Sequence, residues 1–264
     1  MSSGLYYAVS GFRCQEKQLE MISNNLANAG TAGFKEDKPS FKGIYPAINV
    51  VAPMETPEDQ RRLMLLTKMN MSYPALSLVE TDHSPGQIKH TGNQLDMALE
   101  GRGFFVVDTP RGELYTRVGS FALNEKKELV TLEGYPVKKK TKDNAPPEDE
   151  RIKIEGTEVA VDREGRITVD GNPGDTLRVV DFEDYSGLHK VGDNLFEHTG
   201  GKENELKAEG CAVNQRHTES SNVSIVPEMI KLITVSRICE SYQKAIQTLD
   251  ELDARATRDV GAVA

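Results

Sequence analysis

The N-terminal part of the chain carries one narrow apolar stripe at a step close to seven residues. Its members are Leu5, Phe12, Leu19, Ile22 and Leu26, with Ala8 and Ala29 at alternate positions. Apolar residues at this period share one side of an α-helix, so the pattern predicts a helix over residues 4–29. We expect Gly30 to end it, because glycine readily adopts the left-handed conformation that closes a helix.

The C-terminal part repeats the pattern in two rows. The first row is Val235, Tyr242, Leu249 and Ala256, and the second is Ile238, Ala245 and Leu252. These rows predict a helix over residues 225–257. Ser224 is its expected cap, and Pro227 falls in its first turn, where the missing N–H is tolerated.

A stripe this narrow has to be covered by another helix. The helix at the other end of the same chain is one candidate, and a helix of a neighbouring subunit is the other. The sequence therefore predicts a subunit that assembles through its ends. The predicted fold class is α+β, with long N- and C-terminal helices forming a coiled coil and an all-β antiparallel middle domain.

From about Gly86 the hydrophobic period changes to two residues, which is typical of strands. Residues 103–108 resemble a buried strand, residues 113–123 alternate, and turn residues separate the later strands. Residues 36–80 hold five prolines and are predicted to be irregular. The predicted domains are an N-terminal coiled-coil helix (1–35), a Pro-rich connecting segment (36–80), a β-rich outer domain (81–215) and a C-terminal coiled-coil helix (216–264).

Composition narrows the classes of function. Of the 264 residues, 38% are hydrophobic and 28% are charged, which fits an elongated protein with a thin core better than a compact enzyme. The net charge of −9 leaves no basic surface for nucleic acid. No apolar run reaches the about 20 residues that span a bilayer, and the N-terminus lacks the features of a cleaved secretory signal. We therefore expect no nucleic-acid partner and no direct membrane insertion.

The residues that could carry chemistry form no catalytic pattern. Residues 101–103 (Gly-Arg-Gly) lack the third glycine of a phosphate-binding loop and precede a strand, so they predict a turn. The histidines and cysteines lack the spacing of metal ligands. The histidines are His83, His90, His189, His198 and His217, and the cysteines are Cys14, Cys211 and Cys239. Residues 138–140 and 148–150, of opposite charge, predict an exposed hairpin tip with weak ion pairs. We predict no enzymatic activity, no cofactor and no metal.

Four motifs resemble those of bacterial flagellar rod and hook proteins. Residues 23–35 (SNNLANAGTAGFK) are similar to the N-terminal signature of that family, and residues 91–106 to the start of its β domain. Residues 115–121 continue the match, and residues 219–223 resemble the C-terminal signature. The chain departs from the pattern at Glu128, a turn position that often holds glycine in the family.

The resemblance implies a structural subunit of the flagellar basal-body rod, the drive shaft between motor and hook. It implies a location in the basal body across the periplasm, after export by the flagellum-specific type III apparatus without signal cleavage. The implied partners are other copies of the chain and other rod and hook–basal-body subunits. Within the family the chain most resembles the F type of proximal rod protein. The G type of distal rod protein, or a hook-type axial subunit, is the alternative.

The predicted assembly interface combines the two apolar stripes with three asparagines near the end of the first helix. Its residues are Leu5, Phe12, Leu19, Ile22, Asn24, Asn25, Leu26, Asn28, Val235, Ile238, Tyr242, Leu249 and Leu252. The asparagine amides can bond to helix carbonyls, to the following turn or to a neighbouring subunit. A less favoured alternative is a binding module that uses the β domain, which would need an exposed apolar patch there.

Overall fold

The computed structural model of the protein describes residues 3–44, 73–140, 150–208 and 210–261. Contacts divide the chain into two compact units. Unit 1 contains Met1–Leu26, Asp37–Glu80 and Val226–Ala264, and unit 2 contains Ala27–Glu36 and Thr81–Ile225.

Both predicted helices are present. Helix α1 spans Ser3–Ala27 and helix α2 spans Ile225–Gly261. Glu228 lies in the first turn of α2, where a carboxylate interacts favourably with the helix dipole. The prediction that Gly30 adopts a left-handed conformation is wrong, since that conformation occurs at Gly33 (φ 67°). After α1 the Thr31 amide donates to the Asn28 carbonyl at 3.1 Å.

One side of α2 is covered at alternating steps of four and three residues. These buried and half-buried positions, which we call the covered row, are Glu228, Leu232, Val235, Cys239, Tyr242, Ile246 and Leu249; Ser236, next to Val235, is also half-buried. The members of the predicted second row are exposed in the single chain, and their packing against a neighbouring subunit stays a prediction. They are Ile238, Ala245 and Leu252. Ile238 and Cys239, three and four residues after Val235, are both apolar. A seven-residue step fits either one, so the sequence alone could not identify the covered position.

Helix α1 contacts α2 at Gly11, a residue without a side chain. A Cβ atom added to Gly11 would lie 2.8 Å from the Tyr242 hydroxyl oxygen, so the tyrosine ring packs directly on the α1 backbone. Among the side chains of α1 that the structure describes, from Ala8 onwards, those of Cys14, Ile22 and Asn25 are buried.

The described residues outside these helices include seventeen strands. They are β1 (Asp37–Ile44), β2 (Tyr73–Thr81), β3 (Ile88–His90), β4 (Met97–Glu100), β5 (Phe104–Thr109), β6 (Gly112–Thr116), β7 (Phe121–Leu123), β8 (Leu129–Thr131), β9 (Val159–Val161), β10 (Arg166–Val169), β11 (Asn172–Thr176), β12 (Val179–Phe182), β13 (Leu188–Gly192), β14 (Leu195–His198), β15 (Glu205–Lys207), β16 (Ala212–Gln215) and β17 (His217–Glu219).

Unit 2 is built around a six-stranded sheet with the order β13-β14-β6-β5-β12-β15. A three-stranded sheet, β11-β10-β9, and the pairs β16-β4, β17-β3 and β7-β8 complete it. The pairings in these sheets are antiparallel. The predicted β-rich, antiparallel middle is therefore confirmed.

Strand β5 is buried on both faces, which explains its unbroken apolar run. Phe105 and Val107 belong to one hydrophobic cluster, and Phe104 and Val106 to another. The first cluster also contains Met97, Leu99, Leu114, Phe121, Leu129, Val137, Ile152, Ile154, Val159, Ile167, Leu177, Leu195 and Val213. The second also contains Tyr115, Val180, Phe182, Leu188 and Phe196.

Two stretches differ from their predictions. The Pro-rich stretch predicted as irregular carries β1 and β2, which pair in a two-stranded sheet; residues 45–72 between them lie outside the described ones. Both are edge strands, which tolerate Pro39 and Pro74.

No helix in the part of the chain that the structure describes is long and apolar enough to cross a membrane.

The predicted charged hairpin tip is also only partly exposed. Lys138 is buried, and its ammonium group contacts the carboxylates of Glu113 and Glu150. Arg178 contacts Glu113 as well and links it to Glu205. The lysine run therefore takes part in a shared ionic network within unit 2. The rest of the predicted tip, residues 141–149, lies outside the described ranges.

Candidate functional site

Three charged side chains from distant parts of the sequence meet in the interior of unit 2. The Glu219 carboxylate accepts from Lys35 Nζ at 2.7 Å through Oε1 and from Arg117 Nε at 2.9 Å through Oε2. All three side chains are at most 4% exposed. Oε1 also accepts from the Gly86 amide at 2.8 Å. We call Lys35, Arg117 and Glu219 the junction.

The junction has its hydrogen-bonding groups matched. Lys35 Nζ donates a second bond to the Ser84 carbonyl at 2.7 Å. The Arg117 guanidinium donates to the carbonyls of Gly103 at 2.6 Å and Gly101 at 3.0 Å. Burial lowers the pKa of the Lys35 ammonium group, and the ion pair with Glu219 opposes that effect. A buried charge without such partners would be costly, so the carboxylate is what allows two cations to remain inside.

Backbone contacts place the same segments against each other. The Gly33 amide donates to the Glu219 carbonyl at 2.8 Å. The Asn222 side chain accepts from the Glu36 amide at 2.7 Å and donates to the Asp82 carbonyl at 2.8 Å. The stretch that follows α1 and the stretch that precedes α2 are therefore fixed side by side within unit 2.

Two glycines allow the close approach that the junction needs. A Cβ atom at Gly119 would lie 1.5 Å from the Met97 carbonyl oxygen, and one at Gly86 would lie 1.9 Å from the Ser220 carbonyl oxygen. No side chain fits at either distance. Gly119 in the β-domain motif is therefore explained by backbone packing.

An aromatic cluster lies beside the junction. The His83 ring contacts Phe104, Tyr185 and Phe196, with ring centroids 5.0–5.7 Å apart. Both of its ring nitrogens are buried without a hydrogen-bond partner among the described residues. Burial, followed by the nearby Lys35 charge, lowers the His83 pKa to about 4. This histidine is therefore neutral at physiological pH.

The asparagines near the end of α1 have different environments. Asn25 is buried and forms two hydrogen bonds with the backbone of Asp37, donating to its carbonyl at 2.9 Å and accepting from its amide at 3.0 Å. It therefore ties α1 to the start of β1. The Asn28 side chain accepts from the Thr31 hydroxyl at 3.3 Å, and Asn24 is exposed.

The apolar residues predicted to form the assembly interface separate into covered and exposed positions. Ile22 and Val235 are buried. The half-buried members are Phe12, Leu19, Leu26, Tyr242 and Leu249. Ile238 and Leu252 are exposed, and the Leu5 side chain lies outside the described side chains.

The first half of α2 also presents an apolar surface to solvent. It consists of Val226, Met229, Ile230 and Ile233, which are 49–67% exposed. We call these residues the outer face of α2. They occupy positions i, i+3, i+4 and i+7, so they share one side of the helix. The sequence prediction missed them, although the Ile-Val-x-x-Met-Ile-x-x-Ile pattern at 225–233 carried the signal.

The remaining candidate residues have structural environments. Gly101 and Gly103 have positive φ values of 107° and 144° in the turn before β5. Asp181 accepts from the Tyr185 hydroxyl at 2.7 Å and pairs with Arg102; burial, assisted by Asp181, raises the Tyr185 pKa to about 12. Among the described residues, no three His, Cys, Asp or Glu side chains are grouped as metal ligands.

The sequence did not predict the junction as a charged cluster. Its members are 184 and 102 residues apart along the chain, and no local pattern connects them. The available signal was that each member lies within a motif that carried the family resemblance. Those motifs coincide in space because they build one buried site.

Comparisons with known proteins agree on one family. Residues 5–35 match the family described as flagella basal body rod protein, residues 98–169 the flagellar hook protein FlgE/F/G D1 domain, and residues 214–259 the flagellar basal body rod FlgEFG protein C-terminal family. Together the matches include both helices and much of unit 2.

Full-length relatives have the same extent as this chain. The chain is 31% identical to the flagellar basal-body rod protein FlgG of Borreliella burgdorferi, over 96% of each sequence. It is 29% identical to FlgG of Bacillus subtilis, over 96% of the chain and 97% of the relative. The flagellar basal-body rod protein FlgF of Rhizobium meliloti is 29% identical, over 94% of the chain and 98% of the relative.

Proposed function

The chain belongs to the flagellar basal-body rod protein family, and we propose that it enters the rod through its terminal helices. It is a structural subunit of the flagellar basal body. The F and G types of rod protein, which the sequence was predicted to resemble, both occur among its relatives. The proposal concerns which surfaces hold one subunit to the next.

The outer face of α2 carries the proposal. Contiguous exposed apolar side chains on a soluble protein mark an interaction surface. Burial of this face against a neighbouring subunit would gain about 25 cal/mol per Å² of apolar area. Because the outer face lies on a different side of α2 from Val235 and Tyr242, one helix can contact α1 and a neighbour at the same time.

The covered row of α2 has a separate role in the proposal. We propose that α1 and α2 of one subunit pack as an antiparallel coiled coil. The contact between Gly11 and Tyr242 supports this, as does the alternation of four- and three-residue steps along α2. The predicted interface residues Phe12, Leu19 and Leu26 would lie at the margins of that pair, available to neighbouring subunits.

The proposed partners follow from the family. They are further copies of this chain, other rod and hook–basal-body subunits, and the flagellar type III export apparatus during delivery. The named relatives are rod proteins, so we propose a purely structural role without catalysis.

The test compares the outer face with the covered row. Ile233→Asp places a charge on the outer face, and Val235→Ala removes apolar volume from the covered row. In cells lacking the native gene, we expect Ile233→Asp to abolish swimming and incorporation into purified basal bodies while the isolated protein keeps its thermal midpoint. Val235→Ala should lower that midpoint by several degrees.

Gln243→Asp, at an exposed polar position of the same helix, is the matched control and should support normal swimming. The proposal would be wrong if Ile233→Asp subunits were found in basal bodies at the native level. Secretion of each variant into the medium separates failure of assembly from failure of export.

A further inference from the structure

Two histidines outside the proposed assembly surfaces face each other across a pair of strands. Strands β3 and β17 are antiparallel, with His90 directly opposite His217. Directly opposite residues project from the same face of a sheet with Cβ atoms close together. The two ring centroids are 4.9 Å apart, at an interplanar angle of 80°. His90 is exposed and His217 is half-buried, so water and ions reach the pair.

The hydrogen bond of His217 fixes which nitrogen is available. Its Nδ1 lies 2.7 Å from the Gln215 carbonyl oxygen. A carbonyl oxygen only accepts, so Nδ1 carries the proton and Nε2 of the neutral ring keeps its lone pair. Metal-bound histidines commonly make this bond, in which the second ring nitrogen donates to a backbone carbonyl.

The ring separation also suits a shared ion. Imidazole nitrogens bind Zn²⁺ at about 2.0–2.1 Å, so two rings that share one ion near a tetrahedral or square-planar angle have centroids about 5 Å apart. Imidazole favours the late first-row divalent ions, with Cu²⁺ the strongest, followed by Ni²⁺ and Zn²⁺.

We propose that His90 and His217 form a two-histidine site for a late first-row divalent metal ion, with water completing the coordination. Both side chains come from folded strands, so the site exists only in the folded protein. Bound metal joins β3 to β17 and stabilises the fold by mass action. Because β17 ends at Glu219, opposite Ile88 of β3, the ion holds together the strands that lead into the junction.

Linear spacing could not reveal this site. His90 and His217 are far apart in sequence, and their side chains become neighbours only through the register of β3 and β17. The prediction of no metal site was based on ligand spacing along the chain, which detects local motifs alone.

The experiment uses the full chain without a histidine tag and Ni²⁺ as the probe. Isothermal titration at pH 7.5 is expected to show one saturable site per chain, and the thermal midpoint should rise with Ni²⁺ concentration. His90→Gln and His217→Gln should each weaken binding at least about tenfold. His189→Gln, an exposed histidine outside this pair, should bind as the native chain does.

Folding is checked by the thermal midpoint without metal, which should change little in each variant because His90 is exposed and His217 is only half-buried. Equal Ni²⁺ affinity in the native chain and in the variant lacking both histidines would place any binding elsewhere, for example at the thiols. Absence of saturable binding up to millimolar Ni²⁺ would also overturn the proposal.

Discussion

At the scale of single residues, the balance of buried charge determines what unit 2 can tolerate. Glu219 is the carboxylate between two buried cations, Lys35 and Arg117. Removing one member of such a cluster leaves an uncompensated charge inside, which typically costs about 3–5 kcal/mol. The junction therefore contributes more to the uniqueness of the fold than its small size suggests.

Glu219→Gln tests this balance because it keeps the shape and removes the charge. We expect the free energy of unfolding of unit 2 to fall by about 3–5 kcal/mol in urea titrations. Glu203→Gln, at an exposed position, is the control and should change it by less than about 0.5 kcal/mol. Equal unfolding midpoints for the two variants would show that Lys35 and Arg117 do not depend on the carboxylate.

His83 makes stability depend on pH. Its pKa is about 4 in the folded protein, below the ordinary value of 6.5, so the unfolded chain binds the proton more readily. The contribution of His83 to stability is thus fully present above pH 6.5 and is lost as the pH falls towards 4. Lys35, Lys190 and Arg117 repel the protonated ring, and Asp82 attracts it.

We therefore expect His83→Phe to lessen the loss of stability on acidification. Between pH 7 and pH 4.5 the native chain should lose up to roughly 2 kcal/mol more than the variant. Thermal midpoints measured across this range provide the check, with His189→Gln as the control. Parallel pH curves for the native chain and His83→Phe would contradict the assignment.

At the scale of elements, the apolar periods predicted both helices and most strands of unit 2 near their observed bounds. Periodicity succeeds where one face of an element is buried, as in α2, or where both are, as in β5. It could not choose between Ile238 and Cys239 as the covered residue, and it missed β1 and β2 because their prolines suggested irregular structure. It also took Lys138 for a surface residue, since only tertiary packing brings Glu113 and Glu150 to it.

Backbone contact between elements gives a sharper expectation. Gly119→Ala would place a methyl group 1.5 Å from the Met97 carbonyl oxygen, so the segment has to move away from β4. We expect a loss of about 3 kcal/mol or more in unfolding free energy. Gly30→Ala is the control, because no atom lies within 4 Å of the added Cβ, and it should be nearly neutral. Similar denaturation midpoints for both alanine variants would exclude the close approach.

At the scale of the whole molecule, the two units differ in how much of their apolar surface is covered. Unit 2 has two hydrophobic clusters and an ionic junction, whereas in α2 the positions after Val235 with described side chains are at most half-buried. Elements with few buried contacts open locally at low free energy. The family resemblance predicted the functional class, but the separation of covered and exposed rows required the structure.

Hydrogen exchange should reflect this difference. In dilute isolated protein we expect slow exchange at amides of β5 and β6, and protection in α2 that decreases from Glu228 towards Gly261. In assembled rods the same helix should become protected along its length, because neighbouring subunits would cover it. Strong protection throughout α2 in the dilute monomer would contradict the proposal that assembly completes its burial.

The separation of the junction residues along the sequence has a consequence during synthesis. Lys35 precedes Glu219 by 184 residues, so a chain growing from its N-terminus contains its lysine and arginine long before their counterion. Until then, enclosing either cation is unfavourable, and this part of the chain has a physical reason to stay unfolded. A fragment that stops short of Glu219 would lack the carboxylate that pairs with both cations. It could not bury Lys35 and Arg117 as the complete chain does, and would stay distinguishable from it.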